Sequence, residues 1–191
     1  LVIFTSDNGP VWYDHDTTRF GHDSSGALRG MKADAYEGGH RMPFIVRWPG
    51  KVAPGSITGQ TISFTDMLAT LATIVGDELP KNAGEDGFNL SPVFLGDWPE
   101  AEPIRPPVVS TSAQGMRAIQ DRRWKLIEGL GSGGFADPEA DPLATAVDSE
   151  SSESNLDASG PNDPDDPDRP PGQLYDLEAD PAESVNLWHD H

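Results

Sequence analysis

The stretch that decides the fold is LRGMKADAYEGGHRMPFIVRWPGK at residues 28–51, together with TSDNGP at residues 5–10. TSDNGP follows the apolar residues LVIF, so a segment rich in β-formers runs directly into a polar loop. In the longer stretch, a Glu-Gly-Gly turn precedes the apolar run at residues 43–48, which leads into Pro-Gly. The pattern predicts a core strand at residues 1–6, a long loop region at 7–41 and a second buried strand at 43–48.

Asp7 and Asn8 stand at the end of the first predicted strand. In an open α/β sheet, ligands bind just outside the carboxyl ends of the strands. Carboxylate and amide oxygens suit a hard cation such as Ca²⁺ or Mg²⁺. The sequence Asp-Asn-Gly-Pro is also typical of an ordinary turn. Because Ca²⁺ prefers about six to eight oxygen ligands, a metal held here takes most of its shell from elsewhere.

Three positively charged residues of the longer stretch have side chains that are chemically suited to bind an anion. Lys32 carries a compact point charge that holds an anionic oxygen, whereas Arg29 and Arg41 offer a bidentate fork. Taken singly, each is also explained as a solvated surface cation. Gly38 and Gly39 allow a positive φ or a close backbone approach, and neither role requires a ligand.

Taken together, the two segments closely resemble the C-terminal half of the type I, formylglycine-dependent sulfatase family. Three further stretches carry the resemblance: FTDMLATLATIVG at 64–76, DGFNLSPVFLG at 86–96 and LYDLEADPAESVNL at 174–187. The resemblance implies an α/β, alkaline-phosphatase-like sulfatase fold. Residues 1–100 are then the C-terminal part of its sheet-and-helix core. Residues 101–191 form a small antiparallel β subdomain with a terminal helix and an acidic, flexible insertion at 131–170.

The resemblance also implies roles for individual residues. Asp7 and Asn8 correspond to the pair that binds the active-site Ca²⁺ in this family, and Lys32 corresponds to the lysine that binds the sulfate and neutralises developing charge. His22 lies in a loop of the kind that contacts substrate on the leaving-group side, although a surface histidine is the plainer interpretation. The implied partner is a sulfated small molecule or carbohydrate, and export to the periplasm or beyond is expected.

One part of the family pattern has no counterpart in this sequence. The formylglycine of such sulfatases is made from the Cys or Ser of a C/S-x-P-S-R motif, and this chain has neither a cysteine nor that motif. The nucleophile and the rest of the calcium shell are therefore expected in a part before Leu1. Residues 1–191 alone are expected to be inactive.

Composition excludes several classes of partner. The formal net charge of −19 disfavours nucleic acid and anionic membrane surfaces, both of which reward clustered Lys and Arg. Eleven acidic residues against one arginine fall within residues 131–170, which indicates a solvated insertion. The sequence contains no run of 18 apolar residues, so it predicts no membrane-spanning helix. The absence of cysteine excludes disulfides and thiolate metal sites.

Periodicity predicts the remaining elements. Residues 63–76 show helical spacing with a glycine stop, so an amphipathic helix is expected to pack on a sheet of parallel strands. Short strands follow at residues 108–112, 116–120 and 124–128, with a hairpin turn at 121–123. QLYDL is the candidate for a fourth strand, and DPAESVNLW for a terminal helix. The negative charge of Asp66 is favourable near the N-terminus of this helix, and Asp66 is not expected to be catalytic.

Two alternatives remain open. One is a phosphoesterase or phosphonate hydrolase of the same superfamily, in which two zinc ions favour Asp-His rather than Asp-Asn at the strand end, because imidazole suits zinc. The other is a non-catalytic acidic module that binds an anion or Ca²⁺ without turnover.

Overall fold

The computed structural model describes residues 1–136 and 170–190, and predictions for residues 137–169 lie outside this range. Packing divides the chain into two compact units. The first combines Leu1–Thr5 with Pro43–Val108, and the second combines Ser6–Met42 with Val109–His191. The domain boundary expected between residues 100 and 101 stays a prediction.

In the first unit, strands β1 (Val2–Thr5) and β2 (Phe44–Arg47) confirm the two predicted strands. They pair with each other in antiparallel orientation, so the expectation of parallel strands is wrong for this pair. The expectation of buried strands is also wrong within the described chain. Phe4 lies opposite Ile45, and the two side chains are 63% and 58% exposed. Alternate side chains point to opposite faces of a strand, and the residues on the other face of this pair are half-buried.

The chain leaves β1 at Thr5 and returns beside it at Phe44, because these residues are register partners. The excursion between them was expected to be a loop, yet it contains two short helices. These are α1 (Asp14–Phe20) and α2 (Glu37–His40). The second begins within the Glu-Gly-Gly stretch, so the predicted turn is a single helical turn.

Two more helices follow in the first unit, α3 (Asp66–Val75) and α4 (Ser91–Leu95). The predicted helix is confirmed, and Gly76 ends it in the left-handed conformation at φ 79°. No helix among the described residues is long and apolar enough to cross a membrane.

The buried face of α3 differs from the apolar stripe that its spacing predicted. Leu68 and Val75 are exposed, whereas Asp66 and Thr70 are fully buried. The Thr70 hydroxyl donates to the carbonyl of Asp66 at 2.7 Å and accepts the backbone N–H of Leu90 at 2.8 Å. Polar contacts with the chain around Leu90 therefore decide which face is covered.

The sheet of the second unit confirms the four short strands, in the order β3, β4, β5, β6. They are β3 (Val108–Thr111), β4 (Arg117–Gln120), β5 (Trp124–Ile127) and β6 (Gln173–Asp176). β5 pairs antiparallel with both β4 and β6. The predicted hairpin turn is present, because the Asp121 carboxylate accepts the N–H groups of Arg123 and Trp124.

The predicted terminal helix is absent, and residues 177–190 form turns instead. The Asp180 carboxylate accepts the backbone N–H groups of Ser184 and Val185 at 2.7 and 2.9 Å. Side-chain bonds of this kind offer the backbone an alternative to a helix. The prediction of a helix in this segment was therefore wrong.

The first residues of the predicted acidic insertion pack against the rest of the second unit. The carbonyl of Ser132 accepts the N–H of Ala35 at 2.8 Å, and Ser132 is buried. A Cβ on Gly134 would collide with the backbone of Ala33. Residues 131–134 thus pack against the segment around Ala33, because glycine at position 134 permits close approach.

Candidate functional site

The second unit brings the two segments that decide the fold into direct backbone contact. The N–H of Gly9 donates to the carbonyl of Gly39 at 2.9 Å, and the N–H of Lys32 donates to the carbonyl of Pro10 at 2.7 Å. Asp7 and Asn8 immediately precede the first of these contacts. The backbone of Lys32 is therefore held against Pro10, which follows Asn8 by two residues in the sequence.

Glycine makes this contact possible. A Cβ on Gly9 would collide with the carbonyl oxygen of Gly38, and a Cβ on Gly38 would collide with the carbonyl oxygen of Gly30. The N–H of Gly38 donates to the carbonyl of Arg29 at 2.7 Å. Three layers of backbone thus stack at a distance that only glycine allows.

Asp7 and Asn8 place oxygen atoms at the edge of this stack. Asp7 is exposed, and its Oδ1 lies 3.5 Å from the Ser6 hydroxyl. The Asn8 amide donates from Nδ2 to the carbonyl of Gly9 at 2.9 Å. These oxygens fit a hard cation by their chemistry. Within the described residues, no group of three or more His, Cys, Asp or Glu could hold a metal by itself.

Lys32 presents a solvent-accessible ammonium group on a firmly held backbone. Its side chain is exposed, and it makes no ion pair with any residue in ranges 1–136 and 170–190. The next residue, Ala33, has φ 81°, which is uncommon for a residue with a Cβ. Such strain persists only where the surroundings enforce it.

The surroundings do enforce it. The carbonyl of Ala33 accepts the N–H of Ala113 at 2.8 Å. The buried Asp34 carboxylate accepts the N–H of Met31 at 2.7 Å and that of Ala136 at 3.0 Å. These bonds fix the backbone on both sides of Lys32, so the freedom of this residue lies in its side chain.

In the described part of the chain, His22 makes no hydrogen bond or ion pair with Lys32. Its carbonyl accepts the indole N–H of Trp12 at 2.8 Å, and its ring meets the ring of Trp12 edge-on, with centroids 5.8 Å apart. The ring itself is exposed. Its expected substrate contact stays a prediction.

The two arginines that could bind an anion have other partners. Arg29 donates from Nη1 to the carbonyl of Glu183 at 2.9 Å, and its guanidinium lies 4.1 Å from the centre of the Tyr36 ring. Arg41 lies 3.7 Å from a carboxylate oxygen of Glu37. Arg29 is therefore a structural residue in this chain.

Sequence reasoning missed a buried charged cluster under α2. Lys125 is fully buried on β5, with its Nζ 3.1 Å from Glu37 and 2.9 Å from Glu183. The sequence did carry a signal for this burial. Lys125 and Ile127 are two residues apart on a strand, so their side chains lie on the same face, and that face is covered. Burial raises the pKa of Glu183, and the charge of Lys125 opposes this change.

His40 lies next to this cluster at the end of α2. Burial and the charge of Lys125 lower the pKa of His40 below its ordinary value, although nearby acidic groups oppose the change. Its Nε2 is buried and has no hydrogen-bond partner among the described residues. His40 is thus held as the neutral imidazole near neutral pH.

Comparisons with known proteins identify the family. The sulfatase family model matches residues 1–76. Human arylsulfatase A is 37% identical over 190 residues, which cover 98% of this chain and 33% of that protein. An N-acetylgalactosamine-6-O-sulfatase of Bacteroides thetaiotaomicron is 36% identical over 197 residues, covering 100% of this chain and 33% of that protein. The chain thus spans about a third of the length of these curated relatives.

Solved structures give the same result for the fold. A structure from Bacteroides thetaiotaomicron, described with the metabolism of multiple glycosaminoglycans, superposes with a TM-score of 0.71 at 34% identity, covering 100% of this chain and 35% of its own. The PsFucS1 sulfatase from Pseudoalteromonas sp. superposes with a TM-score of 0.65 at 25% identity, covering 99% and 33%. The fold is that of sulfatases, of the alkaline-phosphatase-like class. The chain belongs to the sulfatase family.

Proposed function

We propose that this chain is the C-terminal part of an enzyme that hydrolyses sulfate esters, and that it contributes one side of the active site. The observation that supports this most directly is the backbone contact between the Asp7 and Asn8 segment and the Lys32 segment, through Gly9 to Gly39 and Lys32 to Pro10. The contact joins two separate segments of the sequence, one of which carries the oxygen ligands and the other an exposed lysine. Family membership supports the choice of reaction.

In this proposal, Lys32 is the catalytic and substrate-binding residue of the chain. Its ammonium group binds sulfate oxygens and neutralises the charge that develops on them, because a preorganised cation acts most strongly in a water-poor site. The strained and tightly bonded backbone around Ala33 supports such preorganisation. His22 is proposed as a weaker contact on the leaving-group side.

Asp7 and Asn8 are proposed as two ligands of one Ca²⁺, shared with a part of the protein outside this chain. When bound, the ion supplies positive charge that polarises the sulfate oxygens. Asp7 and Asn8 hold hard oxygen donors for it on a backbone anchored through Gly9. The formylglycine nucleophile is likewise expected outside residues 1–191, so the isolated chain is proposed to be inactive.

The substrate is proposed to be a sulfated small molecule or carbohydrate. The similarity to an N-acetylgalactosamine-6-O-sulfatase favours a carbohydrate. Export to the periplasm or beyond is proposed on the family resemblance.

The test uses the full-length protein that carries this chain, assayed with 4-nitrophenyl sulfate and 4-nitrophenyl phosphate in parallel. We expect hydrolysis of the sulfate ester, loss of activity after calcium chelation and about one calcium per protein by metal analysis. Preference for the phosphate with two bound zinc ions would instead establish the phosphoesterase alternative. No turnover of either ester, with calcium still bound, would favour the non-catalytic module.

A further inference from the structure

Glu183 makes three contacts, two of which reach the segment that carries Lys32. Its Oε2 accepts the backbone N–H of Glu37 at 2.6 Å. Its own carbonyl accepts a hydrogen bond from the guanidinium of Arg29 at 2.9 Å. One residue of the C-terminal segment therefore holds both ends of residues 29–37, with Lys32 between them.

The third contact is with a buried cation. Lys125 lies 2.9 Å from Oε1 of Glu183 and 3.1 Å from Oε1 of Glu37, and its side chain has no exposed surface. No aligned hydrogen bond reaches Glu183 Oε1 among the described residues, so that oxygen relies on the charge contact. The carboxylate is thus oriented by Lys125 on one side and by the N–H of Glu37 on the other.

The backbone at Glu183 is itself unusual. Its φ is 52°, in the left-handed region that residues with a Cβ seldom adopt. The carbonyl and the carboxylate of one residue therefore both point at the Lys32 segment. Strain of this kind is retained where a particular geometry matters.

Stability alone does not explain the cluster. Apolar residues of similar volume commonly stabilise a fold as well as a buried ion pair does, because burying charges is costly. What a fully bonded buried charge adds is a defined position for its partners. Here those partners are Glu37 and, through it, the Gly38 and Gly39 backbone on which Gly9 packs.

We propose that Glu183, oriented by Lys125, is a positioning residue that holds Lys32 in register with Asp7 and Asn8. It touches neither substrate nor metal, and it acts through Lys32. This inference rests on the proposed function, because it requires Lys32 to bind sulfate. A small displacement of a binding group costs up to about 10²-fold in rate, which sets the effect to look for.

The test is a double-mutant cycle in the full-length protein, with Glu183→Gln, Lys32→Ala and the two combined. Glutamine keeps the size of the side chain, but its NH₂ group faces a donor at one of the two contacts. We expect Glu183→Gln to lower kcat/KM for 4-nitrophenyl sulfate by about 10- to 100-fold when Lys32 is present. In the Lys32→Ala background it should cost less than about twofold, since coupled residues are not additive.

A matched control comes from the other unit. Asp66 is equally buried and binds Arg105 at 2.7 Å, and within the described residues its carboxylate makes no hydrogen bond or ion pair with the Lys32 segment. Asp66→Asn should weaken folding. If it also lowers kcat/KM, the fold-change in the double variant with Lys32→Ala should equal the product of the two single fold-changes. Glu183→Gln effects that also multiply would show a merely structural role and overturn the inference.

A second variant covers the case in which Glu183→Gln does not fold. Arg29→Met removes the donor to the Glu183 carbonyl and keeps the side chains of Glu183 and Lys125, and we expect the same dependence on Lys32. If Lys32→Ala alone leaves activity unchanged, the proposed function fails together with this inference. If Lys32→Ala is impaired and the Glu183 and Arg29 effects multiply with it, only the positioning role fails.

Discussion

Gly9 lies so close to Gly38 that a Cβ on the first would collide with the carbonyl oxygen of the second. The same glycine donates its N–H to Gly39 at 2.9 Å. The position of Asp7 and Asn8 therefore depends on the absence of a Cβ at residue 9.

Replacing Gly9 by Ala should separate these segments. We expect a lower melting temperature and loss of most sulfate-ester hydrolysis, because a methyl group forces the Asp7 segment away from the Lys32 segment. Gly55→Ala is the control: its φ is 73° but its Cβ would meet nothing within 4 Å. That variant should lose about 1 kcal/mol of stability to strain and keep its activity. Equal loss of activity in both variants would contradict the geometric argument.

Removal of the Lys32 ammonium group should affect chemistry and spare the fold. We expect Lys32→Ala to lower turnover of a sulfate ester by about 10²-fold or more. Because the side chain is exposed, the free energy of unfolding should change by less than about 0.5 kcal/mol. Lys51→Ala, which removes an exposed lysine of the other unit, should change neither quantity. Full activity of Lys32→Ala would remove this residue from the site.

The lowered pKa of His40 should make the fold sensitive to acid. The unfolded chain binds a proton near the ordinary pKa of 6.5, whereas the folded chain resists protonation to a lower pH. The free energy of unfolding should therefore fall as pH drops below 6.5, by at most about 1.4 kcal/mol per pH unit from this group. The decrease should level off below the folded-state pKa, where both states are protonated.

The measurement is denaturant unfolding between pH 8 and about 5, comparing the protein with His40→Asn. The variant should show a shallower dependence on pH over this window. His15→Asn is the control, because that side chain is 76% exposed. An unchanged slope in His40→Asn would show that other groups set the acid sensitivity.

The ion pair between Arg105 and Asp66 should matter far more for stability than an exposed pair does. Asp66 is fully buried, and both of its carboxylate oxygens lie within 2.8 Å of Arg105 Nη1. Arg105→Met leaves that carboxylate without its cation and should cost about 3–5 kcal/mol. Arg117→Met breaks the exposed pair with Glu128 and should cost less than about 1 kcal/mol. Thermal unfolding of the two variants measures the difference, and equal melting temperatures would contradict it.

Several elements were predictable because their signals are local. The strand at residues 2–5, the helix that ends at Gly76 and the hairpin turn at Asp121 each follow from neighbouring residues alone. The family resemblance was equally readable, since it rests on short segments of the sequence. The terminal helix failed for the opposite reason: the Asp180 side chain bonds the backbone in a way that periodicity does not reveal.

The sequence by itself determined which residues are suited to bind a cation and a sulfate, because donor chemistry belongs to Asp7, Asn8 and Lys32 whatever their surroundings. Only the tertiary structure decided that two of these segments touch, through Gly9 and Gly39. It also decided that Lys125 is buried between Glu37 and Glu183. Contacts between residues dozens of positions apart depend on how the whole chain packs, and packing is not encoded in any one segment.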